Sequence, residues 1–126
     1  MKQISVIAEN RRGVLAELCS ELAKVAVNIV ALMVPEQPGT APIRLVVNNN
    51  EAAKSVFQKL GLNFAEEDVV AAHVSDRPGG LGKLTRKLAD HEIDVLYAYG
   101  SIVKGAGKAL IILSVSDPAA AAKIVK

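Results

Sequence analysis

One segment of turn, helix and strand occurs twice in this chain of 126 residues, and that repetition constrains the fold more than any other feature. Asn10-Arg11-Arg12-Gly13-Val14-Leu15-Ala16-Glu17-Leu18 lies over Asp76-Arg77-Pro78-Gly79-Gly80-Leu81-Gly82-Lys83-Leu84, an offset of 66 residues. Without a gap, Leu22-Ala23 then falls on Leu88-Ala89, and Val27-Asn28-Ile29-Val30 on Ile93-Asp94-Val95-Leu96. Two long repeats cannot form a solenoid, which needs several short units stacked on one another, so the reading is a tandem pair of small domains. Their boundaries are placed at 1–66 and 67–126.

Each half is read by its periodicity. Ile4 to Ala8 and Val69 to Val74 are β-branched runs that end in turn residues, hence first strands. Leu15, Leu18, Cys19, Leu22 and Val25 or Ala26 recur at spacings of three and four, as do Leu81, Leu84 and Leu88, which predicts one helix per half with a single apolar stripe. Asn28 to Val34 and Asp94 to Val103 read as second strands, and Ile43 to Asn48 and Lys108 to Val115 as third strands. Turn clusters at Pro35 to Gly39 and Lys104 to Gly107 join them into hairpins. Asn50 and Asp117 are the expected N-caps of second helices over Ala52–Leu60 and Ala119–Val125, with Pro118 in the first turn. The order is β-α-β-β-α, twice. Only Leu62 to about Glu67 remain for a fourth strand in the first half, and the second half has none, so either the sequence is truncated or the exposed sheet edge is covered by something else. The predicted class is α+β: two tandem ferredoxin-like units, antiparallel sheets with helices on one face, the last strand of the second repeat missing.

Composition narrows the functional classes. Fifteen Lys and Arg face thirteen Asp and Glu, so the basic excess of a phosphate-neutralising nucleic-acid binder is absent. No stretch approaches the roughly 18 apolar residues of a membrane span, and the first residues carry no secretory pattern, so a cytoplasmic protein is expected. The single cysteine, Cys19, falls on the apolar stripe of the first helix and is expected to be a buried, inert thiol. His73 and His91 occupy non-equivalent repeat positions without partners at ligand spacing, so neither a metal site nor a cofactor is expected. Gly79 to Thr85 lacks the spacing of a phosphate-binding loop, with Arg77 and Leu84 where glycine and a hydroxyl residue belong. Tyr97 and Tyr99 share one sheet face, but the third strand has no aromatic to join them in stacking RNA bases. Phe57 and Phe64 are expected to hold the second helix to the sheet. No set of acid, base and nucleophile is present, and the chain is not expected to be an enzyme.

The duplicated strand-to-helix turn is the candidate site. A glycine lets the backbone approach a bound group, and the first N–H groups of a helix have no intrahelical partner and can hold a carboxylate. A polar side chain just upstream can accept from an ammonium, so the turn has what an α-amino acid requires. Helix capping by Asn10 or Asp76 is the alternative reading of the same residues.

At these positions the sequence resembles the ACT family, small regulatory domains of amino-acid metabolism, over essentially the whole chain as two copies. The resemblance rests on Asn10-x-x-Gly13-Val14-Leu15 and Asp76-x-x-Gly79-Gly80-Leu81, the helix that follows, and the Asn28-Ile29 and Asp94-Val95 starts of the next strands. It implies an amino acid bound at domain interfaces. Asn10, Gly13, Val14 and Leu15 would act with Asp94 and Val95, and Asp76, Gly79, Gly80 and Leu81 with Asn28 and Ile29. Many members have a glycine before the second strand, where this chain has Ala26 and Glu92. The function implied is a sensor of a free amino acid, an aliphatic one by its apolar lining, that regulates amino-acid metabolism through assembly. Expected partners are a second copy in a homodimer and a metabolic enzyme, with no nucleic acid and no membrane. The alternative is a regulatory subunit of a biosynthetic enzyme, such as acetolactate synthase, acting mainly by protein contact.

Overall fold

In the computed structural model, residues 1–9, 11–36, 40–102 and 105–125 are described. The elements are β1 (Lys2–Glu9), α1 (Val14–Lys24), β2 (Ile29–Met33), β3 (Thr40–Val47), α2 (Asn50–Lys59), β4 (Asn63–Asp68), β5 (Val70–Ser75), α3 (Gly80–Asp90), β6 (Val95–Ile102), β7 (Lys108–Val115) and α4 (Pro118–Ile124). The first sheet has the order β2-β3-β1-β4, and the second, among the described residues, β5-β7-β6. Residues Lys2–Glu67 form one compact unit, and Met1 with Asp68–Lys126 the other. The fold is therefore the duplicated ferredoxin-like α+β arrangement expected from the repeat.

Pairing registers refine the repeat. Ile4 stands opposite Leu45 and Val70 opposite Leu113, so beyond the β2–β3 hairpin the two copies are offset by 68 residues and the second hairpin is two residues longer. Both second strands carry an irregularity at the same place, between Ile29 and Ala31 and between Val95 and Tyr97. The latch beside it is duplicated as well. The Asn28 N–H donates to the Asn48 side chain and the Asp94 N–H to the Ser116 hydroxyl, both at 2.9 Å.

Each unit buries one side of its sheet under its helices. Ile4, Val6 and Ala8 of β1 pack with Leu18 and Leu22 of α1 and with Val56 and Phe57 of α2. In the second unit Val70 and Ala72 pack with Leu84, Leu88 and Ala121. The apolar stripes are narrower than the spacing predicts: Leu15, Val25 and Leu81 are exposed, and Cys19 is only half-buried, with a free thiol. Helix turns place residues four apart on one face, so Leu18–Leu22 and Leu84–Leu88 face the core while Leu15 and Leu81 line recesses beside the turns. The face of the first sheet away from the helices is not uniformly apolar, because β1 sets Gln3 and Ser5 on it, both donating to Glu67 of β4.

Helix ends show two departures. The N-cap of α2 is Asn49, whose side chain accepts from the Ala52 N–H at 3.1 Å. Asn50, the expected cap, is one residue inside and donates instead to the Lys2 carbonyl and to Glu66. Asp117 caps α4 as predicted, with Pro118 in the first turn. At the ends of α1 and α3 the expected glycine is absent, and Ala26 and Glu92 adopt the left-handed conformation, each with φ of 58°. Ala26 and Val27 donate back to the carbonyls of Ala23 and Leu22, and Glu92 and Ile93 to those of Ala89 and Leu88, the Schellman pattern in both copies. A Cβ is unfavourable there, so Ala26→Gly and Glu92→Gly should each raise stability by about 0.5–1 kcal/mol. Thermal unfolding checks this: each variant should melt a few degrees higher, and a lower midpoint would contradict the strain.

The fourth strand is tied down from both sides. Phe64 of β4 meets Phe57 of α2 with ring centroids 6.0 Å apart, as the sequence led us to expect. Glu66 accepts from Asn50 and from Lys54, at 3.0 and 2.9 Å. The Asn50 amide first, then the Lys54 ammonium, hold the Glu66 carboxyl below the usual carboxylate range. A lowered carboxylate pKa stabilises the fold above the ordinary value, and the tie is lost as pH falls through the lowered one.

Candidate functional site

Both strand-to-helix turns are built alike. Gly13 and Gly79 occupy the N-caps of α1 and α3 with φ of 89°, a conformation that glycine reaches without strain, and among the described residues no side chain caps either helix. Capping by Asp76 is therefore not what this turn is for, while Asn10 lies outside the described residues. The first helical N–H groups, of Val14 and Gly80, are taken by the carbonyls of Arg11 and Arg77 at 3.3 and 3.1 Å. The amides of Leu15, Ala16, Leu81 and Gly82 come next, and helix geometry gives them no intrahelical acceptor. A Cβ added at Gly13 or Gly79 would meet no atom within 4 Å, so the space over each turn is open.

A recess lies at the same place in each unit, and the two differ greatly in size. In the first, Ala8, Glu9, Arg11, Val14, Leu15, Val34 and Ile43 border about 40 Å³ on the strand side of the turn, and a further recess of about 230 Å³ opens from the same Ala8, Glu9, Arg11 and Val14 past Glu17, Leu18, Leu60 and Leu62. The second, bounded by Asp76, Arg77, Pro78, Leu81, Ile102, Ala109 and Ile111 together with the end of β5, has about 350 Å³, within the size range of small-molecule sites. Alignment by register explains the difference. Val14 corresponds to Gly80 and Val34 to Gly100, so two branched side chains are deleted in the second copy. Gly80 is also required by packing, since a Cβ there would sit 2.1 Å from the Ser75 carbonyl oxygen.

Charges differ in the same direction. Arg11 is engaged by Glu9 in an ion pair of 3.0 Å. In the second copy Ser75 replaces Glu9, and among the described residues Arg77 has no ion pair. The second recess thus presents a carboxylate at Asp76, a guanidinium at Arg77 without an ion pair among the described residues, Leu81 of the first helical turn and an apolar wall. This is the complement of a zwitterion with an apolar side chain.

Of the residues singled out in the sequence, Gly13, Val14 and Leu15 come together at the first turn and Asp76, Gly79, Gly80 and Leu81 at the second. Asn28, Ile29, Asp94 and Val95 do not join the recess of their own unit. Ile29 pairs with Val47 and Val95 with Val115, at the opposite end of each sheet from the turn. Arg77, Ile102, Ala109 and Ile111 were not singled out. The exchange of Glu9 for Ser75 beside a retained arginine was the signal that could have found Arg77. No group of His, Cys, Asp and Glu able to hold a metal occurs among the described residues, and none of their helices is long and apolar enough to cross a membrane.

The architecture and the duplicated turn define a tandem pair of ferredoxin-like domains of the regulatory type, each with its recess at the first helix start. The family of the ACT domain pair matches residues 1–126, and the chain belongs to it. A protein from Bacteroides thetaiotaomicron shares the fold at 24% identity over 98% of this chain and 84% of that one, with a TM-score of 0.90. The regulatory subunit of aspartate kinase from Thermus thermophilus, in its ligand-free form, does so at 17% identity over 98% and 89% of the two chains, TM-score 0.70. Its counterpart from Thermus flavus, at 15% identity over 98% and 89%, has a TM-score of 0.66. No curated protein matches the chain.

Proposed function

We propose that this chain is a non-catalytic sensor that binds one free aliphatic amino acid per chain at the second turn and regulates amino-acid metabolism through assembly. The observation that carries the reading is the contrast between the two strand-side recesses, about 350 Å³ beside an Arg77 without an ion pair among the described residues against about 40 Å³ beside an Arg11 paired with Glu9. In this reading the ligand ammonium faces Asp76, its carboxylate faces Arg77 and the amides of Leu81 and Gly82, and its side chain lies on Ile102, Ala109 and Ile111. The first turn, Asn10 with Gly13, Val14 and Leu15, is then the weaker or empty site. The family resemblance further assigns Asn28 and Ile29 to the ligand at the second turn, and Asp94 and Val95 to the first. Loss of affinity in Asn28→Ala would support that crossed assignment.

A thermal-shift screen against the twenty amino acids, followed by calorimetric titration, tests the proposal. A ligand at a hundredfold excess over its Kd should add about 2.7 kcal/mol of stability, and the stoichiometry should be one per chain. Arg77→Ala should remove the effect. A flat screen on folded protein, or unchanged affinity in Arg77→Ala, would sink the proposal.

The likeness to regulatory subunits of aspartate kinase favours a second reading, in which contact with a biosynthetic enzyme is the main activity. A kinase of that type joins acetolactate synthase as a candidate for that partner. Co-purification of a catalytic subunit with a chain that responds to no amino acid would select it. Both readings place the chain in a homodimer, which sedimentation at micromolar concentration tests.

A further inference from the structure

The recess at the second turn is sorted along its length. Its polar residues, Ser75, Asp76 and Arg77, lie at the end of β5 and in the turn, whereas Leu81, Ile102, Ala109 and Ile111 make the far part apolar. Register sets Ile102 opposite Ala109 and Gly100 opposite Ile111, and residues paired in this way share one face of the sheet. Ala109 and Ile111 belong to the core beneath the helices, so this is the face toward α3. Each pair joins a large residue to a small one, in opposite orders along the hairpin.

Gly100 is the small member that governs the space. A Cβ there would stand 2.9 Å from Cδ1 of Ile111, where carbon atoms in contact rest about 3.5–4.0 Å apart. The tip of the Ile111 side chain therefore lies over the Gly100 backbone, in the place a larger residue would claim. Glycine inside a strand weakens it and marks a close approach, and here the approaching group is Ile111. In the first unit Val34 stands at the position of Gly100 and Ile43 at that of Ile111, and the space they border is about 40 Å³ instead of about 350 Å³. Leu81 and Ile102 remain exposed, apolar walls that a bound side chain would cover.

This inference rests on the reading of the recess as an amino-acid site. We infer that Gly100 sets the specificity of that site through Ile111, and that the ligand carries the branched four-carbon side chain of leucine or isoleucine. With the ligand carboxylate on Arg77, the side chain passes Leu81 and ends over Ala109, the low point between Ile102 and Ile111. A methyl group leaves those walls wet. A hydroxyl, amide or ammonium finds no partner among the apolar residues there and loses its hydration without compensation. Gly100 is a positioning residue, which acts by letting Ile111 lean over β6 and away from the recess.

Calorimetric titration of the full chain with L-leucine, L-isoleucine, L-alanine and L-phenylalanine tests the inference. The parent should bind leucine or isoleucine at least about tenfold more tightly than alanine. Gly100→Ala should push Cδ1 of Ile111 back over the recess and weaken both by at least about tenfold, with alanine affinity within about threefold of the parent. Ile111→Val deletes that carbon, so the double variant Gly100→Ala, Ile111→Val should recover leucine binding to within about threefold. Alone, Ile111→Val enlarges the recess and should raise phenylalanine affinity relative to leucine. A glycine required only for folding would lower all affinities alike, with no recovery in the double variant. If the folded parent binds none of the four, the inference falls together with the reading beneath it. If the parent binds, the inference alone is overturned by tightest binding of alanine or phenylalanine, by an unchanged ranking in Gly100→Ala, or by an unchanged phenylalanine-to-leucine ratio in Ile111→Val.

Discussion

On the proposed reading of an amino-acid site at the second turn, Gly80→Ala is expected to abolish ligand-induced stabilisation, and in any case to lower the unfolding free energy by about 2–3 kcal/mol, although it adds only one methyl group. The added Cβ would fall 2.1 Å from the Ser75 carbonyl oxygen, a backbone atom at the end of β5 that cannot rotate out of the way. Either the first turn of α3 moves off the strand or Ser75 moves into the recess it borders, and both displace Arg77 and the helix amides from any ligand. Gly82→Ala, two residues on, is the matched control. A Cβ there meets nothing within 4 Å, so inside a helix it should stabilise by about 0.5–1 kcal/mol. Urea unfolding of both variants with and without the screened amino acid decides the matter. Opposite signs support close approach at Gly80, whereas equal stability of the two would mean that the Ser75 carbonyl yields freely.

The largest effect on stability is expected from Phe57→Ala, about 3–5 kcal/mol. Phe57 is completely buried, the innermost side chain of α2, and it supports Phe64 of β4 as well as the sheet. Truncation leaves a cavity beneath α2 and removes the surface on which the fourth strand rests. Phe64→Ala, at a half-buried position, should cost less. Chemical denaturation should show Phe57→Ala with a reduced midpoint, and proteolysis should cut it first near β4. A loss under 1 kcal/mol would mean that α2 collapses into the space and that the ring pair is dispensable.

These two residues also show where the sequence was legible. The duplicated turn, the helices and the strand order followed from periodicity and from a glycine at the same point in each repeat, because those features are local or recur at a fixed offset. Phe57 and Phe64 were expected from their places at the end of the first half to hold the second helix to the sheet, and their rings meet between α2 and β4. What escaped was set by register across the sheet. Ile111 lines the second recess as its counterpart Ile43 lines the first, but at an offset of 68 rather than 66, a shift invisible while the halves are aligned at a single offset. Asn50 rather than Asn49 was expected as the cap of α2. Both are good capping residues, and the choice turns on Lys2 and Glu66, distant groups that claim the Asn50 side chain. Leu15 and Leu81 belong to the helical stripes by spacing, yet each lines an open recess beside its turn and stays exposed.

The ion pair between Glu9 and Arg11 has a consequence for the form of the response. By setting a carboxylate against the arginine of the first turn, the chain supplies there the group that a ligand would bring to the second. On the proposed reading of one ligand site per chain, a protomer titrates along a simple hyperbola. Sigmoidal dependence on amino-acid concentration, wherever it is measured, would then report chains acting on one another.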